Sequence, residues 1–358
     1  MNILEQTVKR IRPLDSGAVE KACQRQAMLT KPRGSLGLLE DISIKLAGIQ
    51  ASPFPAIHHK VIITMAADHG VVSEGISLYP QEVTRQMVLN FLNGGAAIDV
   101  LARQIDARLV IVDMGVIGGF PHTPGLICRM IDFGTQNMCL GPAMTTQQVL
   151  ACLETGIEIV EAEIERGLDI IGTGDMGIGN TTAASAIIAT LTGEPVSKVT
   201  GRGTGIDDQQ LALKIRVIQK ALQVNQPDPG DAIDVLAKVG GFEIGGLAGL
   251  MLAGAAHRIP VVIDGFISGA AALIATRICP AATDYLIASH LSAENGHSIC
   301  LNSMGLKPLL NLNMRLGEGT GSALGIFLVE SAANILTQMA TFESANVTDI
   351  TSTTCERQ

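Results

Sequence analysis

Apolar residues along this chain gather in short continuous runs, not in alternating ones. Runs at 61–65, 108–112, 168–171, 260–263 and 285–288 have the length of strands. Stretches with helical spacing separate them, at 81–92, 147–166, 183–191, 208–222, 270–277 and 323–336. Strands that are apolar on every side, each followed by a helix, predict an α/β fold. Its parallel sheet is covered on both faces. Residues 1–30 read as amphipathic helix, and 38–48 as a second one. Ser52-Pro53-Phe54-Pro55 reads as a linker into the main domain.

Each strand runs at its carboxyl end into small or acidic residues. Ligands of open α/β sheets sit just beyond those ends. Asp68, Asp113, Gly174, Asp175, Asp264, Gly265 and Ser292 are therefore predicted to line one crevice. The stretch from Leu168 to Thr182 is central. A short apolar strand feeds a loop with Gly172, Gly174, Gly177 and Gly179, and Thr181-Thr182 opens a helix. Bare N–H groups and the positive end of a helix dipole make such a loop an anion cradle. Gly172, Gly174 and Gly177, with Glu194 further on, also outline a dinucleotide fingerprint. Tight packing is the other reading. No G-K-[ST] follows, which excludes a Walker loop.

Two more glycine turns carry charge. In 200–207, Arg202 together with Lys214 of the next helix could neutralise a phosphate or carboxylate. Alternatively Asp207 caps that helix and Lys214 is solvated. Gly317-Glu318-Gly319 places one acid before a buried apolar helix. Desolvation there raises a carboxyl toward the range of a general base, the role expected of Glu318. The basic loop 31–37 is either a solvated turn or a positive arm near an anionic ligand.

Composition narrows the classes. Hydrophobic residues make up 47% of 358 and charged residues 16%, so much surface is hidden in a core or against another subunit. The net charge of -9 argues against nucleic acid. No run approaches the ~20 apolar residues of a membrane span. The N-terminus lacks the features of a secretion signal. Seven scattered cysteines, Cys355 among them, without C-x-x-C read as reduced thiols in the cytoplasm. The histidines form no metal motif, and G-x-S-x-G is absent.

Several motifs occur together and in order. They are Lys31 to Gly37, Asp68-His69-Gly70-Val71-Val72, Gly134-Thr135-Gln136-Asn137 with Pro142 to Thr145, and Gly174 to Thr182. Gly201 to Gly205, Ser289 to Glu294 and Arg315 to Gly319 complete the set. Over nearly its whole length the chain resembles the nicotinate-nucleotide:dimethylbenzimidazole phosphoribosyltransferase family of cobamide biosynthesis. The resemblance implies a Rossmann-like parallel sheet at about 56–329 and a small helical domain from both termini, at about 1–55 and 330–358. It implies transfer of 5-phosphoribose from nicotinate mononucleotide to a lower-ligand base, giving an α-riboside phosphate and nicotinate, with no cofactor or metal. By resemblance Glu318 is the base. Gly174, Gly177, Gly203, Lys214, Gly265 and Ser292 contact the donor. The chain departs from the common pattern at Asp175, where many members have Glu, so an assisting role there has a shorter reach. It departs again at Tyr79, where a Ser is usual, at Met87, where Gln is common, and at Met176. That tighter, less polar acceptor pocket resembles the phenol- or p-cresol-activating branch. The partner is then an identical chain or a paralogous one. A dinucleotide-dependent oxidoreductase and a non-catalytic partner subunit are the competing readings.

Overall fold

The computed structural model describes residues 2–203 and 205–348. Thr204 and Cys355, both cited above, lie outside them. The chain packs as two compact units. One takes in the described residues of Met1–Arg12 and His59–Ile326, the other those of Pro13–His58 and Phe327–Gln358. The expected division differs at the N-terminus. Ile3–Arg10 forms its own helix and packs with the larger unit, because the apolar face of residues 1–30 is broken at Pro13. Ser16–Met28 is a separate helix of the smaller unit. There it packs on Leu38–Gln50, with Ala22 and Ala47 fully buried against Leu336.

The larger unit is built on six parallel strands: β1 (Lys60–Ala67), β2 (Ala107–Gly115), β3 (Leu126–Cys128), β4 (Ile170–Met176), β5 (Val261–Ile263) and β6 (Leu286–Ala288). Their order is β3-β2-β1-β4-β5-β6, with helices on both faces. The order reverses between β1 and β4, and a crevice opens beyond the carboxyl ends at such a switch point. All eight residues of β1 are buried, as a central parallel strand requires. The three-residue edge strand β3 was too short to show as an apolar run.

β4 corrects the sequence reading. The expected strand stopped at Ile171, yet it continues through Gly172 and Gly174 to Met176, so only Gly177–Gly179 form the loop. The reason is close approach. A Cβ on Gly172 would lie 2.9 Å from that of Ser322, and one on Gly174 would lie 2.6 Å from Thr64 Oγ1 and collide with the carbonyl of Glu318. These glycines make room for the turn before helix Thr320–Gln338. By length and composition alone that helix could cross a membrane. Its first turn is instead fastened to the sheet.

Candidate active site

The turn before that helix has an unusual backbone. Gly317, Glu318 and Gly319 are all left-handed, with φ of 82°, 65° and 102°. A non-glycine residue there costs ~1 kcal/mol and persists only when its surroundings hold it. Here they do. The Glu318 N–H donates to the Asp175 carbonyl at 3.2 Å, and its own carbonyl accepts from Thr64 Oγ1 at 2.8 Å. The Asp264 carboxylate accepts from the N–H groups of Gly319, Gly321 and Ser322 at 3.0, 2.6 and 3.2 Å, capping the helix. Ser322 Oγ donates to the carbonyls of Thr173 and Val262 at 2.7 and 3.0 Å.

The Glu318 side chain is thereby held at one wall of a cavity of about 360 Å³ at the switch point. Its Oε2 is buried without a hydrogen-bond partner. Burial pushes its pKa up to about 7, and the charges of Asp264 and Asp99 push the same way. A hydrogen bond from the Ile98 backbone partly offsets them. Asp175 lines the same cavity. Burial, then the charges of Asp264 and Glu243, hold its carboxyl well above the usual range, while the hydrogen bond from Asn180 Nδ2 at 2.9 Å acts against them. A carboxyl near neutrality beside an empty, ring-sized space can accept a proton from a bound acid.

Part of this cavity's lining is apolar, made by Tyr79, Val83, Met87, Met176 and Phe266; Val83 and Met87 lie one turn apart on helix Glu82–Leu92. A second hollow of about 40 Å³ adjoins it, lined by Gly177, Gly179, Thr181, Arg202, Gly203 and Lys214. Lys214 is buried there, its Nζ donating to Thr181 Oγ1 at 2.7 Å. Burial lowers its pKa to about 8, and the charge of Glu294 limits the fall. Thr181 stands in the first turn of helix Asn180–Thr192, which follows the left-handed Gly179. A cation, a hydroxyl and a helix N-terminus converge on one small hollow, an arrangement suited to a phosphate.

Of the residues expected in the crevice, Asp175, Gly177, Gly203, Gly265, Ser292, Glu318, Tyr79, Met87 and Met176 line the main cavity, and Lys214 the adjoining hollow. The others serve elsewhere. Gly174 lines neither, since its bare α-carbon admits the Glu318 carbonyl. Asp264 is spent on helix capping. Asp68 Oδ2 accepts from the Ile117 N–H at 2.8 Å. Asp113 accepts from Gly115 and Val116, beneath a separate cavity with Phe120, Met130 and Phe133. Glu194 pairs with Lys198 near the far end of helix Asn180–Thr192 and is no ribose ligand. Of the basic loop, Lys31 is buried with its Nζ 2.8 Å from Glu40.

Other residues escaped the sequence reading. Glu294 and Arg315 line the cavity and grip Gly203 from two sides, its N–H at 2.8 Å and its carbonyl at 2.6 Å. His69, which belongs to no sequence motif for a metal, shares a hydrogen bond with Glu243 at 2.7 Å in full burial, beneath the Gly177–Gly179 turn. His297 accepts from the Ser292 N–H at 2.8 Å, and burial lowers its pKa to about 3. The one available signal was the acid in Ser289 to Glu294; the Glu243 partner of His69 is remote in sequence. Among the described residues no group of His, Cys, Asp or Glu could hold a metal.

Residues 11–347 match a family model described as phosphoribosyltransferase. The chain is 57% identical over 347 residues to the nicotinate-nucleotide–dimethylbenzimidazole phosphoribosyltransferase of Desulforudis audaxviator, covering 97% of this chain and 98% of that one. It is 56% identical to the enzyme of the same name from Roseiflexus sp., with the same coverage. Among solved structures, that of the namesake from Thermus thermophilus superposes with a TM-score of 0.89 at 43% identity, covering 94% of this chain and 100% of that one.

Proposed function

The chain belongs to the nicotinate-nucleotide–dimethylbenzimidazole phosphoribosyltransferase family, and from that membership we propose that it moves 5-phosphoribose from nicotinate mononucleotide to an aromatic lower-ligand base. The products are an α-riboside phosphate and nicotinate. The observation that carries this reading is Glu318: a buried carboxyl poised near neutrality, with one oxygen bare, facing an apolar ring-sized cavity that abuts the Lys214 hollow.

The chemistry follows from those positions. The donor phosphate occupies the hollow between Lys214, Thr181 and the Gly177 and Gly203 turns. Gly265 and Ser292 flank the ribose. The bond from C1′ to the pyridinium nitrogen breaks, and nicotinate leaves with the electron pair as a neutral pyridine. The acceptor's N or O attacks C1′ from the opposite face and inverts it. Its proton passes to Glu318 Oε2. Asp175, its carboxyl held well above the usual range by burial, is the assisting carboxyl beside that site. Positioning and one proton transfer supply the catalysis, and no cofactor enters.

For the acceptor, the wall of Tyr79, Met87 and Met176 supports phenol or p-cresol beside dimethylbenzimidazole. A phenol, with an intrinsic pKa of ~10, depends more on Glu318 than an imidazole does. The working unit is a dimer with an identical or paralogous chain. The test is one incubation of purified chain with nicotinate mononucleotide and equal dimethylbenzimidazole and p-cresol, products read by mass. Riboside phosphates of both acceptors, p-cresol ahead, are expected. Only the benzimidazole product ends the phenolic reading. No product alone, but turnover with an added paralogue, leaves the partner-subunit reading standing. A change in nicotinamide absorbance would revive the oxidoreductase.

A further inference from the structure

Glu294 has no part in the proton transfer, yet it is built into the donor end of the site with unusual care. It is 6% exposed, and its Oε1 accepts the Gly203 N–H at 2.8 Å. Its Oε2 fills the space that a side chain at Gly201 would need and has no hydrogen-bond partner. Gly203 in turn lies directly over the cation: a Cβ there would sit 3.5 Å from Lys214 Nζ and 3.2 Å from Thr181 Oγ1. A buried carboxylate with a bare oxygen costs stability unless something is gained from its charge. It also stands close to where an anion must bind, so direct contact with that anion is not the gain.

We propose that Glu294 is a positioning residue for the donor phosphate, tying the Gly201–Gly203 turn and the Lys214 ammonium into one anion-binding unit. This rests on the assignment of the Lys214 hollow to a phosphate. Two actions follow from the geometry. The Gly203 hydrogen bond fixes the turn, with Arg315 Nη1 holding its carbonyl from the other side. The negative charge keeps Lys214 protonated although the lysine is buried. Neighbouring carboxyls do not serve that task. Asp208 is paired with Arg202, which lines the hollow, and Asp175 lines the main cavity, where it accepts from Asn180 Nδ2. Arg202 is the other charged residue lining the hollow among the described residues, while Arg315 lines the main cavity and holds the Gly203 carbonyl.

The test separates the two actions. Binding of inorganic phosphate to the full chain is measured by calorimetry from weakly acidic to alkaline pH for wild type, Glu294→Gln and Glu294→Ala. The wild type should lose affinity with a midpoint near 8, where Lys214 deprotonates. Glu294→Gln keeps an acceptor for Gly203 but not the charge, so its midpoint should fall by about one pH unit, with binding restored at lower pH. Glu294→Ala should bind more weakly at every pH. An unchanged midpoint in Glu294→Gln, or equal losses at all pH values in both variants with folding intact by circular dichroism, overturns the proposal. So does wild type that binds no phosphate. Transfer activity, measured separately by mass, reports on the proposed function: phosphate binding with no riboside product leaves Glu294 in place and removes the reaction.

Discussion

The backbone N–H of Glu318 donates to the backbone carbonyl of Asp175 at 3.2 Å. One hydrogen bond thus joins the end of β4 to the turn that carries the base. It also brings together two carboxyls whose pKa values are both raised by burial, with Asp264 adding to each.

Glu318→Gln tests the base most directly. It keeps the length and left-handed backbone of the residue but cannot take a proton. We expect kcat to fall by about 10²–10⁴-fold with p-cresol as acceptor. The dissociation constant for nicotinate mononucleotide should stay within about threefold, since no donor contact is lost. A comparable loss of donor affinity would place Glu318 in binding instead.

The pH dependence has two limbs with opposite signs. Glu318 must be ionised to accept a proton, so kcat/KM rises as pH passes about 7. Lys214 must be charged to hold the phosphate, so kcat/KM falls as pH passes about 8. A narrow bell is expected. Bound phosphate raises the lysine's pKa, so the profile of kcat should keep the acidic limb and lose the alkaline one.

Stability should change in the opposite direction from activity. The Glu318 carboxyl ionises near 4.5 when unfolded and near 7 when folded. Between those values only the unfolded chain releases the proton, so the residue contributes a growing destabilisation as pH rises, complete above 7. Glu318→Gln should therefore melt at the wild-type temperature at pH 4 and above it at pH 8. Scanning calorimetry at both pH values decides this.

Gly174→Ala should damage the site without touching a ligand. Its methyl group would meet the Glu318 carbonyl and Thr64 Oγ1. We expect ~1–3 kcal/mol of lost stability in denaturant titrations. The base would be displaced, so kcat should fall further than donor affinity. The reverse pattern would return Gly174 to the phosphate cradle.

The acceptor wall should respond to substitution independently of the base. Tyr79→Ser together with Met87→Gln opens the cavity and adds polar partners. The product ratio in a mixed incubation should shift toward the benzimidazole riboside by about 10-fold or more. No shift would make those side chains bystanders.

Much of this arrangement was legible in the sequence, for identifiable reasons. β1 and β2 announced themselves because buried parallel strands are apolar on all sides. Glu318 stood out because an acid between glycines has no packing use. Gly172 and Gly174 misled: they resemble a loop locally, and only the arrival of residues 317–322 from far along the chain explains their place in a strand. Asp264 was expected to line the crevice for the same reason. A carboxylate at a strand end faces the ligand side until the helix it caps, reached 57 positions onward at Gly321, is folded against it. The pairs His69–Glu243 and Glu294–Gly203 join segments separated by 174 and 91 residues, and no local pattern marks them.

Glu318, the proposed base, is anchored through its main chain to two central strands, by Thr64 of β1 and Asp175 of β4. It therefore behaves as a fixed anvil, immobile unless the sheet itself shifts. Of the apolar lining, Tyr79, Val83 and Met87 come from one surface helix and the segment before it, where Tyr79 is half exposed. Drift on that side can retune which aromatic ring is accepted while the proton acceptor stays where it was. A lineage could then follow whatever aromatic compound its habitat supplies by editing a few outward-facing side chains, without rebuilding the reaction.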